Sequence, residues 1–178
     1  MAADGDDVTD EVDDRQLWAA LVAAEQECAR RRSEFYRHAW SRTEILSKAL
    51  AGGVWDQAVA LEFLDSVPHD VPALLHDLVE HAVSQRWAGL ARRAIAGADR
   101  QRTRPVLRRI VSERLRRADD NEYRRLAELL AEVEDWPMLQ VLLQSAADST
   151  DLRVRAVSPD LAQRYGPLCA DTERRAIS

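Results

Sequence analysis

Cysteine is scarce in this 178-residue chain, which contains only Cys28 and Cys169. The two lie 141 positions apart, so they form none of the paired spacings by which thiolates hold zinc. The same count excludes a framework of several disulfides, on which small secreted domains depend. We therefore expect two free thiols that pack as small apolar groups, in a chain kept in the reducing cytoplasm.

Long apolar runs are also missing from the sequence. No segment approaches the ~20 consecutive apolar residues that a membrane-spanning helix needs. The first residues are acidic, whereas a secretory signal requires positive charge there. Residues 1–14 hold seven acids and no base. This composition predicts a disordered acidic tail, attached to a cytoplasmic domain that makes no contact with a membrane.

Lysine is nearly absent, because 24 of the 25 basic residues are arginine and only Lys48 is not. Such a bias is typical of GC-rich genomes and says little about function by itself. The positions of the arginines along the chain are more informative. Residues 86–125 hold thirteen arginines and five acids, which gives this segment a net charge of +8 in a chain whose total is −6. This segment predicts a basic surface, for which the acidic tail is expected to compete with acidic partners.

Alternation of apolar and polar residues with a period of two, the mark of a strand, is not sustained anywhere in the chain. Helix signals are frequent instead: Ser41-Arg42-Thr43-Glu44 forms a capping box, and Gly52-Gly53 ends the helix that follows. Leu107, Ile110 and Leu143 belong to apolar stripes of helical period and are expected in the core. The sequence therefore predicts an all-α fold.

The two ends of the predicted domain carry weaker helix signals. Asp13 and Gln16 resemble a capping box that begins a first helix. One face of that helix is apolar and comprises Leu17, Leu21, Ala24 and Cys28. At the other end we expect a short last helix from Leu152 that Pro159 cuts or kinks. Residues 167–178 are expected to form a frayed tail.

A proline recurs near the start of three apolar runs, at spacings of 33 and 32 residues. The three pairs of expected N-cap and proline are Asp70 and Pro72, Thr103 and Pro105, and Asp135 and Pro137. Aromatic residues also mark the expected helix starts, at Trp55, Trp87, Tyr123 and Trp136. Periods of 20–50 residues indicate stacked helical units. We expect a right-handed α-α solenoid of about four antiparallel helix pairs with an N-terminal helix, over residues 15–166.

Two short motifs resemble known helical repeats. Asp151, Val154 and Arg155 resemble the D-x-x-V-R-x-x-A start of a HEAT helix. Residues 53–58, Gly-Val-Trp-Asp-Gln-Ala, are instead similar to the turn into the second helix of a tetratricopeptide repeat. The resemblance covers about residues 41–166 and leaves both families open. It implies a stack of helix pairs that binds other macromolecules.

Histidines and carboxylates cluster at one place, where His69, His76 and His81 alternate with Asp70, Asp77 and Glu80. His76 and His81 are five residues apart, so they diverge by about 140° around a helix. The string His76–His81 also misses the zinc-protease pattern by one residue. Neither cysteine and no serine lies in a nucleophile motif. We expect no metal, no cofactor and no catalysis.

The basic segment therefore carries the functional hypothesis. We expect a non-catalytic protein-interaction module (an adaptor, scaffold or neutralising partner) whose concave, partly basic helical surface binds an acidic protein. The candidate contact residues are Arg104, Arg108, Arg109, Arg116 and Trp87. The alternative is a HEAT-like protein that binds nucleic acid through the arginine-rich face of residues 100–125.

Overall fold

The computed structural model describes residues 13–177, with side chains to residue 170, and the regular secondary structure of this part of the chain is helical, with no strand. The all-α prediction is confirmed. Nine α-helices and one 3-10 helix, Pro68–Ala73, follow in order. The α-helices are α1 Asp14–His38, α2 Arg42–Leu50, α3 Val54–Ser66, α4 Leu75–Ala82, α5 Ala88–Ala96, α6 Arg100–Leu115, α7 Asp120–Glu132, α8 Trp136–Ala147 and α9 Leu152–Ile177.

The chain divides into two compact units, with the boundary between Arg42 and Thr43. The described part of the first unit is essentially α1. The Asp13 carboxylate caps this helix by accepting from the Arg15 N–H at 3.2 Å. None of the 25 residues of α1 is buried. The predicted N-terminal helix is thus present, but its apolar stripe faces solvent.

The second unit contains the hydrophobic core of the protein. Leucines from five helices are completely buried, namely Leu61, Leu64, Leu78, Leu107, Leu126, Leu129, Leu130, Leu139 and Leu142. Leu107 and Ile110 lie in this core, as predicted. The prediction for Leu143 is wrong, because this side chain is only half-buried. The inward face of α8 is formed by Leu139, Leu142 and Ala146, and Leu143 lies about 100° away from Leu142.

Contacts in the second unit form two series, and in each series a helix contacts the second helix after it in the chain. In one, α3 contacts α5, α5 contacts α7, and α7 contacts α9. In the other, α4 contacts α6 and α6 contacts α8. Further contacts join α4 to α5 and α8 to both α7 and α9. Each helix therefore packs mainly against near neighbours in the chain.

Two of the three proline predictions are wrong in their local detail. Asp70 and Pro72 lie within the 3-10 helix, and α4 begins only at Leu75. Thr103 is a buried residue inside α6 and does not cap it. The cap is Asp99, whose carboxylate accepts from the Gln101 N–H at 2.9 Å, so the helix begins earlier and carries Pro105 in its interior.

The third proline lies where the sequence indicates, because Asp135 caps α8 and Pro137 follows in its first turn. The prediction of a short last helix, in contrast, is wrong, since α9 continues through both Pro159 and Pro167. Both prolines are exposed. The buried stripe of α9 runs past them without a break, through Val154, Val157, Leu161, Tyr165 and Cys169. Packing on this stripe holds together a helix that the prolines weaken on its outer face.

Candidate functional site

Helix α6 carries the arginines from which the sequence predicts a binding surface. Its inward face is formed by Thr103, Leu107, Ile110 and Val111. The remaining faces hold arginines at two different spacings. One set recurs every four residues (Arg100, Arg104 and Arg108), and the other recurs every seven (Arg102, Arg109 and Arg116, which follows the last helical residue).

The arginines spaced by four bind the turn between α7 and α8. The Nη2 atom of Arg100 lies 2.8 Å from the Glu134 carboxylate, and Nη2 of Arg104 donates to the Glu134 carbonyl at 3.1 Å. Arg108 donates from Nε and Nη2 to the two carboxylate oxygens of Asp135, at 2.8 and 2.6 Å. We call these three residues the arginine clamp. They join α6 to residues 27 to 34 positions further along the chain.

The turn that receives the arginine clamp is itself unusual. Glu134 has a φ of 55°, a left-handed conformation that glycine normally adopts at a helix end. The N–H groups of Glu134 and Asp135 donate back to the carbonyls of Ala131 and Leu130, at 3.1 and 2.9 Å, which closes a Schellman motif. Arg100 and Arg104 both contact this left-handed residue from α6.

Asp135 is the most deeply buried charged residue of the described chain, with no exposed surface. Its carboxylate also accepts from the Met138 N–H, at 3.4 Å, and so caps α8. A buried carboxylate needs an opposite charge, which Arg108 supplies in a two-point contact. The hydrogen bond with Asp135 raises the pKa of Arg108 above its ordinary value, so the guanidinium group stays charged. The role of the Arg108 side chain is therefore structural, since it neutralises a buried carboxylate.

Other arginines outside the clamp also join helices. Arg114 of α6 donates to Glu80 of α4 and to Glu122 of α7. Arg92 of α5 reaches the Ala82 carbonyl at 3.0 Å and the Glu128 carboxylate at 2.8 Å. Together with the arginine clamp, these contacts give five of the thirteen arginines of residues 86–125 a partner on another helix or on the α7–α8 turn.

The arginines spaced by seven behave differently. Arg102, Arg109 and Arg116 are exposed, and none of them makes a hydrogen bond or an ion pair with any residue that the structure describes. We call them the arginine row. Seven helical residues rise by about 10.5 Å and return to nearly the same face. Glu113 lies between two members of the row and Arg117 follows it, and both are exposed. The row leaves three guanidinium groups available to bind a partner.

Of the five predicted contact residues, the structure thus places only Arg109 and Arg116 in one exposed row. Arg104 and Arg108 belong to the arginine clamp. Trp87 is half-buried, and its indole N–H donates to the Gln57 side chain at 2.7 Å, so it joins α5 to α3. Arg102 is absent from the predicted contacts because the sequence predicts a helix that begins at Arg104, with Thr103 as its N-cap. The signal that could have found it is Asp99, which is an equally good N-cap.

The histidine and carboxylate cluster is distributed over separate structural contacts. Nε2 of His81 donates to the Leu50 carbonyl at 2.9 Å, and Asp77 accepts from the Ser47 hydroxyl at 2.7 Å. Glu80 pairs with Arg114. Within the described residues, no group of three or more potential ligands is arranged to hold a metal ion. His81, Asp77 and Glu80 instead join α4 to α2 and α6.

Comparison with known proteins gives no assignment: no family model, no curated protein and no solved structure matches this chain. None of the helices within residues 13–177 is long and apolar enough to cross a bilayer. Most of the predicted acidic tail, residues 1–12, lies outside the described part of the chain, and its disorder stays a prediction, as does the cytoplasmic location. A function must be inferred from the chain's own surface.

Proposed function

We propose that this protein is a non-catalytic interaction module that binds an acidic segment of another protein. The observation that supports this proposal is the arginine row on α6. Eight of the thirteen arginines between residues 86 and 125 donate to partners within the chain, whereas Arg102, Arg109 and Arg116 share one face and donate to no residue that the structure describes. An exposed row of like charges destabilises a fold slightly and offers no packing in return. Binding of an acidic partner would compensate the charge of this row.

The proposed architecture is a right-handed α-α solenoid of stacked antiparallel helix pairs, of the HEAT or tetratricopeptide type. Its support is the order of the contacts, in which α3, α5, α7 and α9 meet in succession and α4, α6 and α8 do likewise. In a solenoid each unit contacts only its neighbours and the stack presents a concave binding surface. The arginine row would then form part of a surface repeated along the stack.

A protein partner accounts for the row better than a nucleic acid does. The three guanidinium groups recur about every 10.5 Å, which is also the interval of acids placed seven residues apart on a partner helix. Complementary charge of this kind mainly accelerates association and selects the partner. Three phosphate contacts, in contrast, would support only non-specific binding to DNA or RNA, about 10⁻⁴–10⁻⁶ M at physiological salt.

Removal of the row tests the proposal. The variant Arg102→Ala/Arg109→Ala/Arg116→Ala is compared with Arg15→Ala/Arg37→Ala/Arg155→Ala, which removes the same charge from exposed arginines elsewhere. Fluorescence anisotropy with labelled poly-glutamate at low salt should show affinity at least about tenfold weaker for the row variant only. An equal loss in both variants would show that net charge alone is responsible. Nanomolar binding of the wild type to a DNA or RNA oligonucleotide at physiological salt would favour the nucleic-acid alternative.

A further inference from the structure

The first half of α1 contains an apolar segment that is uncovered in the structure. Residues 17–24 are eight consecutive apolar residues. Leu17, Trp18 and Leu21 nevertheless are 56 %, 67 % and 52 % exposed. A helical segment that is apolar on all sides is normally buried. This surface therefore needs a partner.

The apolar positions of α1 follow the repeat of a coiled coil. Intervals of four and three residues alternate along its seam, which comprises Leu17, Leu21, Ala24, Cys28, Arg31 and Phe35. A period of 3.5 residues is what keeps a seam facing a partner helix along its whole length. A second copy of the chain offers the same stripe, and self-complementarity of this kind is what a two-fold interface requires.

Arg31 is a charged residue on this seam, and the helix itself compensates its charge. Its Nε atom lies 2.7 Å from Glu27, and its Nη1 atom lies 3.0 Å from Glu34. Both glutamates are on one flank of the seam, so they draw the guanidinium group sideways. Arg30 pairs with the same two glutamates, at 2.7 and 3.3 Å, and the network has no net charge. Two copies can approach here without repulsion.

The charged residues beside the seam select one direction of pairing. In a parallel pair, Glu27 of one copy faces Arg32 of the other, because a g position faces the e position five residues later. In an antiparallel pair, g faces g and e faces e, which would place Glu27 against Glu27 and Glu25 against Glu25. Opposite charges across the interface thus favour the parallel arrangement.

We infer that α1 joins two copies of this chain as a parallel, in-register helix pair through Leu17, Leu21 and Cys28. A helix of 25 residues is about 37 Å long and about 10 Å wide, so pairing covers on the order of 800 Å² in two copies together. Stable interfaces begin at about 1,000 Å². The dimer is accordingly weak, and its population depends on protein concentration.

Sedimentation of the full chain over a range of concentrations tests the pairing. We expect a reversible monomer–dimer equilibrium for the wild type and a dissociation constant at least about tenfold higher for Leu21→Glu. Val141→Glu is the matched control, since Val141 is 55 % exposed on α8 and outside α1. Because no residue of α1 is buried, Leu21→Glu should leave the thermal unfolding of the second unit unchanged. Equal dissociation constants for the two variants would overturn the inference.

The direction of pairing is tested with the thiols. A parallel, in-register pair places the two Cys28 side chains at the same level, where a disulfide can form. We expect diamide to produce a covalent dimer with the wild type and with Cys169→Ser, but not with Cys28→Ser. Retained association without this cross-link would overturn the parallel register. A wild type that stays monomeric at all concentrations would overturn the dimer, and binding of anionic lipid vesicles through α1 would then assign the surface to a membrane.

Discussion

Helices α6 and α1 both contain several arginines, but they pair them in opposite ways. In α1, Arg30 and Arg31 bind glutamates three or four residues away on the same helix. In α6, the arginine clamp binds residues 27 to 34 positions away on another part of the fold. The first kind of pair stabilises only the local helix, whereas the second determines where a helix lies. Residue type and spacing alone do not distinguish the two.

The largest expected effect comes from the clamp. Arg108→Ala leaves the Asp135 carboxylate buried without its counter-charge, and should lower the free energy of unfolding by about 3 kcal/mol, at the low end for a buried pair because the Arg108 side chain is 43 % exposed. Urea denaturation followed by circular dichroism measures the change. Arg109→Ala is the control and should stay within about 0.5 kcal/mol of the wild type. Equal losses in the two variants would show that the clamp has no special role.

Burial provides the second contrast between the two units. Tyr165 of α9 is 5 % exposed, whereas Tyr36 of α1 is 40 % exposed. Burial raises the pKa of Tyr165 above its ordinary value of 10.0; the charge of Glu128 acts in the same direction, and the charges of Arg164 and Arg92 act against it. The neutral phenol is therefore favoured in the folded state, and the stability that it contributes is lost as pH rises above 10.0.

Absorbance titration of the phenolate, compared between the wild type and Tyr165→Phe, measures this effect. The difference between the two titration curves should correspond to one tyrosine that ionises at a higher pH than a free phenol. The decline of stability in alkali should also be shallower in Tyr165→Phe. A difference titration with the midpoint of a free tyrosine would show that the Tyr165 site is open to water.

The smallest effect is expected in α1. The hydrogen bond with Arg30 lowers the pKa of Glu27 from its ordinary value of 4.5, and contacts with Arg31 act in the same direction. The contribution of these pairs to helix content is therefore present above pH 4.5 and is lost as pH falls through the lowered pKa. Circular dichroism of Glu27→Gln against the wild type should show a slightly less helical variant at neutral pH and no difference in strong acid. A shift in the urea midpoint of the second unit would contradict the local nature of these pairs.

Local signals in the sequence predicted part of this structure correctly. Helical periodicity identified the all-α class and the buried positions Leu107 and Ile110, and Asp135 before Pro137 located the start of α8. The same kind of signal failed at Thr103, where another cap residue one turn earlier competed with it. It also failed at Pro159, because a local rule that ends helices does not include the packing that holds α9 together.

The sequence by itself determined that this chain is helical and that its basic charge is concentrated in one segment, because propensity, capping and composition are properties of neighbouring residues. Only the tertiary structure decided which arginines are available. Arg108 and Arg109 are adjacent in sequence, yet one neutralises a buried carboxylate and the other faces solvent. The physical reason is that the clamp needs the α7–α8 turn, some thirty residues away, to be folded against α6.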